Sequence, residues 1–225
     1  KLYSLRKIYE GEEEIESWMN VKLPKIDGTN LTLIYRRGKL KMGLTRGNGE
    51  QGTDVTHLIG MLKDAPTKID LDYDEVVVNG ECVTDNNVEN FRNYVSGALG
   101  LDSPSEFAQR NIRFIAHDWL GISMDYEPRM RILKNAGFFT VLEDQSWDYP
   151  KDGIVYRCNS YAKSQQLGYT SKYPRFAVAL KQRMTEIAIT TLQDVLWVVG
   201  RTGTVNPTGV VDPVILDDAT ISRVT

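Results

Sequence analysis

The sequence predicts an α+β protein in which hairpin-linked strands and short helices form one domain, followed by the opening strands of a small β-barrel. Three observations predict this class. Runs with period-two alternation or β-branched content recur, among them Leu31–Tyr35, Lys39–Leu44, Glu75–Val78 and Ile112–Trp119, each bounded by Gly, Asn or Asp. Other stretches carry helical spacing and glycine stops, as in Glu127–Asn135 before Gly137 and Asn159–Leu167 before Gly168. Beyond about Thr185 the pattern changes to close-set β segments punctuated by Gly200, Gly203, Pro207 and Gly209. Residues 1–184 are therefore expected to form one domain and residues 185–225 to begin a second.

Taken in order, Glu10–Met19 reads as an acidic surface helix, with Ile15 and Trp18 spaced for one apolar face. Leu31–Tyr35 and Lys39–Leu44 flank Arg36-Arg37-Gly38 and read as a hairpin, and Gly47-Asn48-Gly49 marks a second sharp turn. Glu75–Val78 is a buried strand that delivers Asn79, Gly80 and Glu81 at its end. A helix is expected over Asn87–Leu99. Ser103-Pro104-Ser105-Glu106 is a capping box with Pro at the first helical position, opening a helix to about Gln109. Ile112–Trp119 is a strand whose polar members, His117 and Asp118, come at its end. Asp152-Gly153 opens the strand Ile154–Cys158, and Arg175–Lys181 is the next strand.

The 225 residues suffice for a sizeable core, and a formal net charge of −3 argues against a wholly basic nucleic-acid binder while allowing a local basic face. Cys82 and Cys158 are isolated and the chain has two histidines, His57 and His117, so no zinc spacing exists and nothing supports a disulfide. This cysteine usage fits a reducing compartment. No apolar run approaches a membrane span and no signal sequence opens the chain, so a soluble cytoplasmic protein is expected.

The chemistry centres on Leu23-Pro24-Lys25-Ile26-Asp27-Gly28. A lysine just before a tight Asp-Gly turn, at the mouth of a half-buried strand, is held on a rigid element in the way a nucleophile is presented. An amine with an ordinary pKa of about 10.4 is a poor nucleophile at neutral pH unless other cations or desolvation favour its neutral form. The rest of the chain should therefore supply cations. Neighbouring strands ending in Arg157 and Lys181 would place two of them near Lys25.

Ordered blocks accompany this lysine: Thr45-Arg46-Gly47-Asn48-Gly49, Gly52-Thr53-Asp54-Val55-Thr56, Asp152-Gly153-Ile154-Val155-Tyr156-Arg157, Pro174–Lys181 and Gly200-Arg201-Thr202-Gly203. In that order they resemble the adenylation domain of the NAD-dependent DNA ligases, from about Tyr3 to the end of the chain. The resemblance implies a nucleotidyltransferase domain of antiparallel sheets with outer helices and a nucleotide cleft, followed by a partial OB-fold. It implies nick sealing in duplex DNA through AMP bound covalently to Lys25, with NAD as donor and Mg²⁺ carried on phosphate oxygens. Lys25, Asp27 and Lys181 would be catalytic, with Asp27 orienting Lys25 and the turn. Ser4 and Leu5 would lie beside the adenine, Glu81 would hold the ribose, His117 would stack on the base and Val155 would pack on it. Arg46, Arg92, Arg175, Arg201 and Lys181 would meet phosphates, and no protein side chain would hold a metal.

The chain departs from the family at four places. Leu23 stands where the ligases carry a Glu that accepts from the adenine amine, Arg157 where they carry a Lys, His117 where they carry a stacking aromatic, and Gly100 where a second arginine is expected. The helical domain that binds the nicotinamide half of NAD is also expected from outside these residues, as are the strands that close the barrel, whether from more of the same chain or from a second polypeptide. An ATP-dependent DNA or RNA ligase uses the same lysine chemistry, and an inactive nucleic-acid-binding relative would keep the basic residues without it. AMP on Lys25 separates enzyme from binder, and labelling from NAD or ATP separates the donors.

Overall fold

The structure, a computed structural model, describes residues 1–142, 149–181, 188–200, 203–216 and 219–224. The chain divides into two compact units, Lys1–Gln182 and Arg183–Thr225.

In the first unit the strands are β1 (Arg6–Tyr9), β2 (Val21–Ile26), β3 (Thr29–Arg36), β4 (Lys39–Thr45), β5 (Glu75–Thr84), β6 (Ile112–Leu120), β7 (Lys151–Arg157) and β8 (Ala177–Lys181). The helices are α1 (Phe91–Leu99), α2 (Pro104–Gln109), α3 (Tyr126–Asn135) and α4 (Tyr161–Leu167). Two four-stranded sheets form, in the orders β1-β8-β7-β2 and β4-β3-β5-β6. Within these two sheets neighbouring strands pair antiparallel, except that β1 runs parallel to β8. Leu31, Leu33 and Tyr35 alternate inward from β3 onto Val76 and Val78 of β5 and Phe114 of β6, as a two-residue period requires. Val95 and Leu99 of α1, with Met130 and Leu133 of α3, bury their apolar faces in the same core. The buried Tyr35 hydroxyl meets its need by donating to the Pro66 carbonyl at 2.7 Å.

Several elements fall where the residues place them. Ser103 caps α2 by accepting from the Glu106 amide, and α3 ends just before Gly137. Others do not. Glu10–Met19 forms no helix: β1 occupies Arg6–Tyr9, and the chain then turns through Gly11, whose φ of +82° is left-handed. A helix here would stack Glu10, Glu12, Glu13, Glu14 and Glu16 at repelling i,i+3 and i,i+4 spacings. Ile15 and Trp18 are half-buried nonetheless, packed against Ile8, Met19 and Val178. Helix α1 starts at Phe91 instead of Asn87, because Asn90 caps it by accepting from the Asn93 amide. Strand β5 runs on to Thr84, so Glu81 sits inside the sheet opposite Asn30 and Ile115, not at a strand end.

The second unit is an antiparallel meander of β9 (Leu192–Val199), β10 (Val205–Leu216) and β11 (Ala219–Val224), with β10 in the middle. Strand β9 is exposed along its length, and Val211 of β10 is buried.

Candidate active site

Lys25 sits at an irregularity between β2 and β7. Pro24 pairs with Ile154 and Ile26 with Lys151, so Lys25 alone faces two residues, Asp152 and Gly153. Bulges of this kind re-aim side chains, and this one turns Asp152 toward Lys25. Gly153 makes the bulge possible, because its φ is +141° and a Cβ there would lie 2.3 Å from the Leu180 carbonyl oxygen of β8. The Asp152 carboxylate then bridges two amines: Oδ1 accepts from Lys25 Nζ at 2.6 Å and Oδ2 from Lys181 Nζ at 2.8 Å. Burial works to raise the pKa of Asp152, but the hydrogen bonds from Lys181 and Lys25 outweigh it and hold the carboxyl below its ordinary range.

Glu81 projects from β5 near this bridge. Burial pushes its pKa up to about 7, opposed by the hydrogen bond from Asn30 and by the charges of Lys25, Arg92 and Arg46. Asn30 is a junction: its amide nitrogen lies 3.0 Å from the Gly80 carbonyl oxygen, 3.3 Å from Glu81 Oε1 and 3.3 Å from His117 Nε2. Burial holds His117 down to about 4, so at neutral pH the ring is uncharged. Arg92 faces Asp27 at 3.7 Å, and Arg46 donates to Ser4 Oγ at 2.7 Å. Leu5 packs against Cys158, Phe176 and Ala177. Both cysteines are free and buried.

Sequence reasoning expected Arg157 and Lys181 to converge on Lys25, and the structure corrects half of this. Strands β7 and β8 are antiparallel, with Ile154 opposite Leu180 and Arg157 opposite Ala177, so the two cations lie at opposite ends. Lys181 reaches the Lys25 bridge. Arg157 lies opposite Val21, is buried over the Tyr126 ring and donates to Asp118 Oδ2 at 3.3 Å. Asp27 orients the turn through its amide, which donates to the Pro150 carbonyl, while its carboxylate faces Arg92 instead of Lys25. Leu23 and Val155 face each other across β2 and β7. Arg175 donates to the Leu167 and Tyr169 carbonyls at the end of α4, and Arg201 lies outside the described residues. Residues given no role by the sequence are also gathered here: Asp152, which stood only as an Asp-Gly turn within a block resembling the family, Asp118, noted as a polar residue at a strand end, and Asn30 and Arg129, which carry no local signal. Among the described residues, no three His, Cys, Asp or Glu side chains converge to hold a metal ion. No helix among them is long and apolar enough to cross a membrane.

DNA ligases resemble the chain along most of its length. That of Lachnoclostridium phytofermentans is 33% identical over 94% of the chain and 37% of its own length. That of Chlorobium chlorochromatii is 33% identical over 89% and 36%, and that of Campylobacter hominis is 30% identical over 100% and 42%. The family model described as "NAD-dependent DNA ligase adenylation domain" matches residues 2–145 and 141–185. The chain belongs to that family, and spans about two fifths of the length of these relatives.

Proposed function

We propose that this chain is the adenylate-transferring part of an NAD-dependent DNA ligase acting on nicked duplex DNA. The observation that carries the reading is the Lys25–Asp152–Lys181 bridge, an amine held on a rigid strand with a base in direct contact and a second cation on that base's other oxygen. Lys25 Nζ attacks the adenylyl phosphorus of NAD. An N–P bond forms, the P–O bond to nicotinamide mononucleotide breaks, and that group leaves with the electron pair. Asp152, 2.6 Å from Nζ, is within reach to take the amine proton. The 5′-phosphate of a nick then attacks the lysyl-AMP phosphorus, returning the electron pair to Nζ, and the 3′-hydroxyl displaces AMP. All three steps are displacements at phosphorus, so positioning and charge neutralisation supply most of the catalysis.

In this reading Lys181, Arg46 and Arg92 meet the nucleotide phosphates, Glu81 holds the ribose, and His117, Val155 and the Ser4–Leu5 backbone flank the adenine. Arg175 and Arg201 meet DNA phosphates. Residues 185–225 are the opening strands of an OB-fold, and further segments supply the nicotinamide contacts. Among the described residues Mg²⁺ finds no cage of protein carboxylates, and both Asp152 oxygens accept from lysines. An ion borne by phosphate oxygens with most of its waters is the form such a donor set admits. The test is mass spectrometry of the protein after incubation with NAD or with ATP: AMP on Lys25 from NAD alone is expected, and no adduct from either donor refutes the reading.

A further inference from the structure

Strand β2 runs back from Lys25 through Leu23 to Val21, and Val21 lies opposite Arg157 of β7. Four residues of strand span about 13 Å, comparable to the reach of a nucleoside monophosphate from its phosphorus to the far edge of its base. At that far point the structure gathers Asp118, Arg129 and Arg157 around Tyr126. The Arg157 guanidinium lies 3.6 Å from the centre of the Tyr126 ring and donates to Asp118 Oδ2. Arg129 Nη2 lies 2.8 Å from Asp118 Oδ1 without the alignment of a hydrogen bond. Asp118 owes its placement to a bulge: the register of β5 with β6 shifts between Asn79, opposite Asp118, and Gly80, opposite Ala116, so His117 is an extra residue.

This cluster holds unmet hydrogen-bonding capacity. Asp118 Oδ1, Arg129 Nε and Arg157 Nε are buried without a hydrogen-bond partner, as is Oδ1 of Asn30, whose Nδ2 lies 3.3 Å from His117 Nε2. Thr140 Oγ1 is the remaining such atom among the described residues, so the shortfall is concentrated here. Buried polar groups are nearly always paired, and four orphans in one neighbourhood mark a place for a polar partner. The chemistry of the four defines that partner. A phosphate would suit the guanidiniums but be repelled by Asp118, and a cation would suit Asp118 but be repelled by Arg129 and Arg157. A purine edge satisfies both, because its ring nitrogens accept and its exocyclic amine donates.

We propose that Asp118, steadied by Arg157 and Arg129, accepts from the exocyclic amine of the transferred adenine and is the residue that sets base specificity. The proposal rests on adenylate transfer at Lys25. Leu23, buried on β2 two residues before the nucleophile, offers no acceptor, so the reader comes from β6 instead.

The test uses the full-length protein and two donors, NAD and nicotinamide hypoxanthine dinucleotide, whose base carries a carbonyl oxygen in place of the amine. The readout is the ratio of their single-turnover rates of attachment to Lys25. The unsubstituted protein should favour NAD by about 10- to 100-fold, the loss expected when a charged acceptor meets a carbonyl oxygen. Asp118→Asn, whose amide can donate to that oxygen, should collapse or invert the ratio. Since this change leaves two buried guanidiniums without a counter-charge, Asp118→Glu is measured beside it. Glu keeps the charge but moves the carboxylate by a methylene, and should lower the ratio at least 5-fold. An unchanged ratio in whichever variant keeps a cooperative melt overturns the proposal and leaves Asp118 as a structural ion-pair partner. No attachment from either donor to the unsubstituted protein would instead sink adenylate transfer itself.

Discussion

The two ends of β7 use charge in opposite ways. At one end Asp152 shares both oxygens between Lys25 and Lys181, and these side chains keep about a quarter of their surface in solvent. At the other end Arg157 and Asp118 are more buried, and polar atoms there lack hydrogen-bond partners. A group that must receive and release a phosphate needs water and an open approach, whereas a group that tells one base from another gains most where water cannot compete. The difference suggests chemistry at the Asp152 end and recognition at the Arg157 end, and substitutions at the two ends should fail in different ways.

The largest effect is expected at Lys25. Lys25→Arg keeps the charge beside Asp152 but replaces the nucleophile with a guanidinium that stays protonated, so no AMP should be found on the protein by intact-mass measurement while the melting temperature stays close to that of the parent. AMP attached at the normal rate would mean that the nucleophile is elsewhere.

Next come the partners in the bridge. Lys181→Ala and Asp152→Asn should each slow AMP attachment by about 10²- to 10³-fold, the loss seen when one positioned group is removed from a transition state. Because both act through one bridge, the double variant should lose much less than the product of the two. Rapid-quench rates that multiply cleanly would show two independent groups and break the picture of a single unit.

These contrasts bear on how much the residues announce in advance. The strands β3 and β4 and the Ser103 cap were legible because their signals are local: alternation, turn residues, a hydroxyl three residues before a glutamate. Lys25 and Lys181 were legible through resemblance to ligases. Asp152 was not, because its meaning comes from a contact 127 residues distant and from a bulge that only the paired strands reveal. Arg157 was misplaced for a topological reason: end-of-strand residues on adjacent strands meet only if the strands run the same way, and β7 and β8 do not. The Glu10–Met19 segment shows the converse, in that Ile15 and Trp18, picked by their spacing, do pack inward and are half-buried, while its glycine and repeated glutamates excluded the helix.

A smaller loss is expected from the backbone that aims Asp152. Gly153→Ala forces a side chain onto a left-handed φ and against the Leu180 carbonyl, costing about 1–3 kcal/mol from the backbone conformation alone. Thermal melting should fall by several degrees and the attachment rate should drop with it, since Asp152 shifts. A rate unchanged in a destabilised variant would separate the bulge from the chemistry.

The smallest effect is a pH dependence centred on Glu81, between the two ends. Its pKa in the folded chain is about 7, raised by burial from an ordinary 4.5, so folding favours the protonated form. That contribution to stability is fully present below about 4.5 and is lost as pH rises through 7. The interval is worth about 3 kcal/mol at most, and partial contact with water brings it to about 1–2. His117 works in the other direction: held down to about 4 from 6.5, it contributes stability above 6.5 that is lost as pH falls through 4. In the parent protein the two dependences oppose each other between about 4.5 and 6.5 and flatten the profile. Glu81→Gln removes one of them, so its melting temperature should climb with pH over that interval, and its advantage over the parent should grow from pH 5 to pH 8. A difference between variant and parent that stays constant with pH would mean that the Glu81 carboxylate is as well solvated in the fold as in the unfolded chain, and would place Glu81 with the open chemistry at Asp152 instead of the dry recognition at Arg157.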